Sequence, residues 1–155
     1  MKRKLTGLAV VTVLFSVAGV GLWYATADAE GISIPYEDAG AVTAGASLYA
    51  QHCAACHGAE LAGDENWQET DEGGLLRAPP HDETGHTWHH PDRLLFEITK
   101  FGTEAVVGGG YKSNMQGFGD ILTDAQILSV LAYIKSTWPE RVIQVHNRIN
   151  AEAGG

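Results

Sequence analysis

Apolar residues recur at helical spacing in two stretches of the chain. The first has Pro91 and Asp92 at a typical helix start and Gly102 at a typical helix end. The second opens at Thr123 with a capping-box pattern and stops before Pro139. The apolar positions are Leu94, Leu95, Ile98 and Phe101 in the first stretch, and Ile127, Leu128, Val130, Leu131 and Ile134 in the second. No segment alternates like a strand for long, so the pattern predicts an all-α fold.

A different apolar pattern opens the chain. Three basic residues at positions 2–4 precede an uncharged run over 5–24, long enough to cross a membrane with the N-terminus in the cytoplasm. The small residues at 25–27 also match a cleavage site, which would make 1–27 a signal peptide. The length of the run favours a transmembrane anchor in a bacterial inner membrane, with the remaining chain in the periplasm. Cleavage near Ala27 would instead give a soluble periplasmic protein.

Composition divides the rest of the chain into three parts. Residues 28–42 are rich in Gly, Ala and acidic side chains and are interpreted as a linker. Residues 43–138 form the predicted domain, which is small enough to need help in building its core. Residues 139–155 form a tail whose apolar positions predict a short helix, without a functional interpretation.

The strongest chemical signal is a Cys-Ala-Ala-Cys-His motif over residues 53–57. Two thiols three residues apart lie on one side of a helical turn, where each can add across a vinyl group of one haem. The histidine that follows can then present a ring nitrogen to the iron. The motif therefore predicts one covalent c-type haem on Cys53 and Cys56, with His57 as an axial ligand of the iron.

Other functions of a Cys-x-x-Cys pair fit this chain less well. A structural zinc site would need a second pair of ligands, and the chain has only two cysteines. A redox dithiol or a structural disulfide would not require the histidine that follows. These alternatives leave the haem interpretation as the best one.

The sixth ligand of a low-spin haem is normally Met or His. Apart from Met1, the only methionine is Met115, which lies in a Gly-rich stretch without helical or strand period. Glycines allow such a loop to approach and cross a haem face. Met115 is therefore the predicted second axial ligand, and His86, His89 or His90 is the alternative.

These residues resemble the monohaem class I cytochromes c over roughly residues 43–138. The resemblance rests on the haem motif and the Met115 loop, with Gly45 and Tyr49 in a first helix and Tyr133 in the last. It implies a small fold of about three to five helices around one covalent haem, preceded here by the N-terminal membrane or signal segment. It also implies that the small residue and the aromatic of the first helix pack against the last helix.

The resemblance extends to two residues of the segment that follows the haem motif. In the family, a proline carbonyl accepts a hydrogen bond from Nδ1 of the proximal histidine, and Pro79 is the closest match. Arg77 would neutralise a haem propionate, or would be a solvated loop charge. Both would support the haem without binding its iron.

The charge of the chain limits the choice of partners. The formal net charge is −9, and three of the positive charges lie at positions 2–4, so the remainder carries about −12. This excludes nucleic acid as a partner and favours redox proteins with basic docking surfaces. The densest acidic stretch is formed by Asp64, Glu65, Glu69, Asp71 and Glu72.

Four histidines and two carboxylates over residues 81–90 leave a second possibility open. They could bind copper or zinc, or they could line the haem pocket and face water.

Two classes of function remain. The first is a membrane-tethered one-electron carrier that takes electrons from a quinol-oxidising complex or a dehydrogenase and passes them to a terminal oxidase or a reductase. The second is a haem subunit of a periplasmic oxidoreductase, or a copper-linked cytochrome that uses residues 81–90. A Met/His pair would fill both axial positions, and the sequence shows neither a nucleophile–base set nor a second haem motif. The carrier, which is not itself an enzyme, is therefore favoured.

Overall fold

The computed structural model describes residues 31–154, and every structural statement below concerns this part of the chain. Its α-helices are α1 (Ala39–His52), α2 (Ala54–His57), α3 (Asp92–Phe101), α4 (Thr103–Val107), α5 (Asp124–Ser136) and α6 (Glu140–Glu152), with a 3-10 turn at Thr87–His89. Two isolated β-bridges occur, and residues 31–154 contain no strand. The all-α prediction is confirmed.

Helices α1 and α5 cross at very short range. A Cβ added at Gly45 of α1 would lie 1.8 Å from the carbonyl oxygen of Ser129 and 3.0 Å from Cβ of Tyr133. Only a residue without a side chain lets the two backbones meet in this way. One turn further along α1, Tyr49 is buried, with its ring 5.4 Å from that of Tyr133. The crossing fixes the orientation of α1 and therefore the position of its C-terminal end, where the haem motif begins.

Helix α3 buries a different face from the one predicted. Its buried residues are Asp92, Leu95, Phe96 and Thr99, whereas Phe101 is 55% exposed. The prediction that Phe101 points inward is therefore wrong. The reason is that Asp92 lies inside, where it accepts a hydrogen bond from the backbone N–H of Ile34 and another from the side chain of Asn150. Both partners are 58 residues away, so local periodicity could not indicate them.

The expected linker over residues 28–42 also differs from the structure in its second half. Ile34 is 3% exposed and belongs to the core, and its N–H lies 2.8 Å from Oδ2 of Asp92. Asp38 caps α1 by accepting hydrogen bonds from the backbone N–H groups of Gly40 and Ala41. Residues 34–42 are thus part of the folded domain, held by the Asp38 cap, by buried Ile34 and by partly buried Tyr36, Ala41 and Val42.

The C-terminal segment contributes a helix with a buried face. Val142, Ile143 and His146 of α6 are buried. His146 lies beside the buried Asp92 and Lys135, with Nε2 3.4 Å from the Asp92 carboxylate. Burial lowers the pKa of His146, the nearby Lys135 lowers it further, and Asp92 opposes both effects. This polar cluster joins α3, α5 and α6.

The predicted anchor or signal peptide at residues 1–27 lies outside the described residues. Within residues 31–154, no helix combines the length and apolar character that a membrane crossing requires.

The crossing of α1 and α5 generates a stability prediction. Gly45→Ala should destabilise the protein by about 2–3 kcal/mol, because a new Cβ would force two backbones apart. The free energy of unfolding in urea measures this effect. Gly40→Ala is the matched control, since a Cβ there meets only the Asp38 side chain at 3.1 Å. Equal stability of the two variants would contradict the crossing.

Candidate haem-binding site

The haem motif occupies the junction of α1 and α2. Cys53 ends α1, and its carbonyl accepts hydrogen bonds from the N–H groups of Cys56 and His57 at 3.1 and 2.9 Å, which closes one tight turn. Neither cysteine forms a disulfide with a described residue, and Cys53 is buried whereas Cys56 is exposed. Burial raises the pKa of the Cys53 thiol to about 11, and the neighbouring Cys56 adds to the shift. The turn thus presents two thiols and one imidazole from a single short segment.

The His57 ring is buried and has a defined tautomer. Its Nδ1 lies 2.9 Å from the carbonyl oxygen of Pro79. Because a carbonyl can only accept, Nδ1 carries the proton, and Nε2 keeps its lone pair. Burial lowers the pKa of His57, although the Pro79 carbonyl opposes that shift. A neutral imidazole with a free Nε2 is the form that binds a metal.

The segment that carries Pro79 is held by close backbone contacts. A Cβ at Gly63 would lie 2.5 Å from N of Pro80, and a Cβ at Gly85 would lie 2.1 Å from the oxygen of Pro80. The N–H of His81 donates to the carbonyl of Leu61 at 2.7 Å. These contacts on either side of Pro79 fix the position of the carbonyl that accepts the hydrogen bond from His57.

Arg77 lies at the start of the same segment. Its Nη1 is 3.4 Å from Oδ2 of Asp64, a long and partly exposed ion pair. Its Nε is buried and has no hydrogen-bond partner among the described residues. A buried donor without a partner is rare, and an anionic group such as a haem propionate would satisfy it. The donor set of two thiols, an imidazole and a guanidinium therefore fits a covalent haem.

Met115 is half-buried and packs against the hydrophobic core. Its N–H donates to the hydroxyl of Ser113, and its carbonyl accepts from the N–H of Thr103 at 3.2 Å. The loop crosses the turn between α3 and α4, where a Cβ at Gly102 would lie 2.7 Å from N of Gly117. The backbone at Met115 is thus anchored to the end of α3.

The sequence did not indicate a contact between the acidic stretch and the Met115 loop. Asp71 accepts hydrogen bonds from the N–H groups of Gly73 and Leu75 and, at 3.0 Å, from the side chain of Asn114. These hydrogen bonds lower the pKa of Asp71, and the bond from the Leu75 N–H has the largest effect. Asp71 and Asn114 are 43 residues apart, and no sequence pattern predicts such a pair. Asp71 is therefore a structural residue rather than a free surface charge.

The histidines over residues 81–90 do not converge on one point. His81 stacks on His57, His86 stacks on Trp67, and His89 packs against Trp88. Within residues 31–154, no group of three or more His, Cys, Asp or Glu side chains is placed to hold a metal ion. The rings of His86 and His90 approach each other, with centroids 5.5 Å apart, but two imidazoles do not complete a zinc or copper site. The suggestion of a second metal in this segment thus receives no support.

Comparisons with known proteins agree with this site. Residues 42–138 match the Cytochrome c family. A curated relative, the Cbb3-type cytochrome c oxidase subunit FixP of Sinorhizobium medicae, is 29% identical over 97 residues. That match covers 62% of this chain but only 30% of the relative, so the chain spans less than a third of the relative's length. No solved structure matches the chain significantly.

The chain belongs to the cytochrome c family, and its single Cys-x-x-Cys-His motif makes it a monohaem class I member. Its cofactor is a covalently bound c-type haem, a group suited to the transfer of single electrons.

The anchoring of the Met115 loop can be tested with a pair of glycines. Gly102→Ala should destabilise the loop and speed amide hydrogen exchange over residues 115–119, because the new Cβ would meet Gly117. Gly110→Ala is the matched control: Gly110 has a φ of 84°, close to the 86° of Gly102, but its Cβ would meet nothing within 4 Å. Similar exchange rates in the two variants would show that backbone strain alone, rather than the contact, governs the loop.

Proposed function

We propose that the protein is a one-electron carrier whose haem is attached to Cys53 and Cys56 and ligated by His57 and Met115. The observation that carries the proposal is the 2.9 Å contact between His57 Nδ1 and the Pro79 carbonyl. It orients a neutral imidazole whose Nε2 is available, directly after the two thiols. Met115 is the only methionine among the described residues, and its loop is tied to the end of α3.

Each residue has a separate task in this proposal. When bound, the haem takes up and releases one electron. Cys53 and Cys56 would hold it by thioether bonds, and His57 and Met115 would supply a nitrogen and a sulfur ligand to its iron. Pro79 raises the basicity of the His57 ligand through its hydrogen bond. Arg77 would offer its unpaired Nε to a propionate carboxylate, while Asp64 pairs with Nη1 of the same guanidinium.

The location and organisation of the protein are part of the same proposal. Residues 1–27 anchor it in a bacterial inner membrane, or are removed after export, and residues 28–33 lead into a periplasmic haem domain. Its electron donors and acceptors are membrane or periplasmic redox proteins. The basic cluster and uncharged run at the start of the chain support this arrangement.

A second candidate is a haem subunit of a terminal oxidase complex. It is favoured by one observation, the 29% identity to a protein named as a cbb3-type oxidase subunit. In this case the same haem passes electrons inside a permanent complex, without diffusional encounter. The two candidates differ in partner and not in the chemistry of the site.

The acidic surface gives the carrier a means of selecting partners. Glu65, Glu69 and Glu72 are exposed and form no ion pair with another described residue, whereas Asp64 pairs with Arg77. These free carboxylates attract cationic docking surfaces and raise the association rate more than the affinity.

Replacement of Met115 tests the ligation. In the oxidised wild-type protein, a weak near-infrared band should report the bond between Met115 and iron. Met115→Ala should abolish the band and lower the reduction potential, because a thioether ligand favours ferrous iron. Retention of the band in the variant would refute Met115 as the ligand and would direct attention to His86, His89 or His90.

Salt dependence tests the acidic surface. Oxidation by the cationic complex tris(phenanthroline)cobalt(III) should slow as ionic strength rises, because salt screens its attraction to the carboxylates. Oxidation by the anion ferricyanide should accelerate, because salt screens repulsion. Part of each effect should already be lost at physiological salt, where the Debye length is about 8 Å. Replacing Glu69 and Glu72 by Gln should reduce both effects. Replacing Glu140 and Glu152 of α6 by Gln changes the net charge equally and is the control. Equal effects of the two pairs would show that net charge, and not this surface, steers the encounter.

A further inference from the structure

The ring of His57 has a second contact that the sequence did not indicate. The imidazole of His81 stacks on it, with ring centroids 3.9 Å apart and an angle of 26° between the planes. Nδ1 of His81 is buried and has no hydrogen-bond partner among the described residues. A buried polar atom without a partner is costly, so hydrogen bonding does not explain why an imidazole occupies this position.

The stack supplies a constraint that the Pro79 hydrogen bond cannot. A hydrogen bond at Nδ1 fixes one atom of the His57 ring but leaves rotation of the ring about that point. A flat ring packed face to face restricts the plane itself, as offset aromatic pairs do. Pro79 and His81 are two residues apart on one rigid segment, so together they fix both the position and the plane of the imidazole.

His81 is itself held from two directions. Its N–H donates to the carbonyl of Leu61 at 2.7 Å. Its carbonyl accepts a 2.7 Å hydrogen bond from Nε1 of Trp138, whose side chain is 4% exposed. The second bond spans 57 residues and joins the haem-motif side of the domain to the end of α5.

Trp138 in turn packs against a side chain of α6. The ring of His146 meets the Trp138 indole edge-on, at 5.1 Å between centroids and 87° between planes. Nε2 of His146 donates to the carbonyl of His90 at 2.9 Å, which fixes that ring. Helix α6 lies beyond the residues that match the cytochrome c family, so this support is an addition to the matched region.

We propose that His81 is a positioning residue that sets the plane of the His57 imidazole, and that Trp138 and α6 hold His81 in place. The proposal rests on the proposed role of His57 as an axial ligand. The plane of the ligand governs its overlap with the iron orbitals, and its packing governs the access of water to that side of the haem. The C-terminal helix then acts on the redox centre through two packed aromatic side chains, without touching it.

The experiment is paramagnetic NMR of the haem-loaded ferric protein, with the reduction potential measured on the same samples. His81→Ala should displace the shifted ring resonances of His57 and lower the potential, because water would then reach the ligand and favour ferric iron. His81→Phe keeps a flat ring and should restore both properties towards the wild type. Trp138→Phe removes the indole N–H and part of the packed ring, and should move both in the direction of His81→Ala, by a smaller amount. Thr84→Ala, in the same segment but with an exposed side chain that bonds Asp82, should leave both unchanged.

The outcomes separate this inference from the proposed function. Wild-type spectra without shifted His57 resonances would refute the axial role itself. Shifted resonances that stay unchanged in His81→Ala, despite a lower free energy of unfolding, would make His81 merely structural and overturn the inference. If His81→Ala does not fold, the Trp138→Phe variant tests the inference instead. Wild-type spectra in that variant would exclude the proposed support of His81 by Trp138 and α6, and would overturn the inference. Failure of His81→Phe to restore the signals would assign the effect to the imidazole nitrogens rather than to the stack and would likewise overturn the inference.

Discussion

The close crossing of α1 and α5 is the contact on which the site depends. Gly45 allows the backbone of α1 to reach that of Ser129, and Tyr49 then packs beside Tyr133. The Tyr49 hydroxyl donates to the carbonyl of Gly58, just after the haem motif. The helix pair therefore determines where Cys53 and His57 lie, and a shift of α1 would move both thiols and the proximal imidazole together.

Around this pair, the site is supported by backbone contacts rather than by charge. The Pro79 carbonyl is held by the close approach of Gly63 and Gly85, and the Met115 loop by Gly102. Such contacts are rigid because protein interiors are close-packed, so that even one added Cβ would displace the neighbouring backbone. Rigidity suits electron transfer, in which the iron ligands should change little between oxidation states.

The domain also contains a buried polar cluster that joins the matched family region to helix α6, which lies beyond it. Asp92, Lys135 and His146 are almost fully buried, and Asn147 and Asn150 of α6 complete their hydrogen bonds. Removing one partner from such a cluster leaves a buried charge uncompensated, so its members depend on one another. Through it, the N-terminal segment at Ile34 and the C-terminal helix become parts of the same core.

The sequence alone determined the helical class, the covalent haem and the boundaries of α5, because these depend on local patterns: a five-residue motif, a capping box and a 3.6-residue period. It failed where a partner came from far along the chain. Phe101 lies outside because distant Ile34 and Asn150 hold Asp92 inside. The tertiary structure alone decided that Asp71 would bind the Met115 loop and that His81 would stack on His57. Long-range pairs of this kind depend on how helices and loops pack, and no local spacing encodes them.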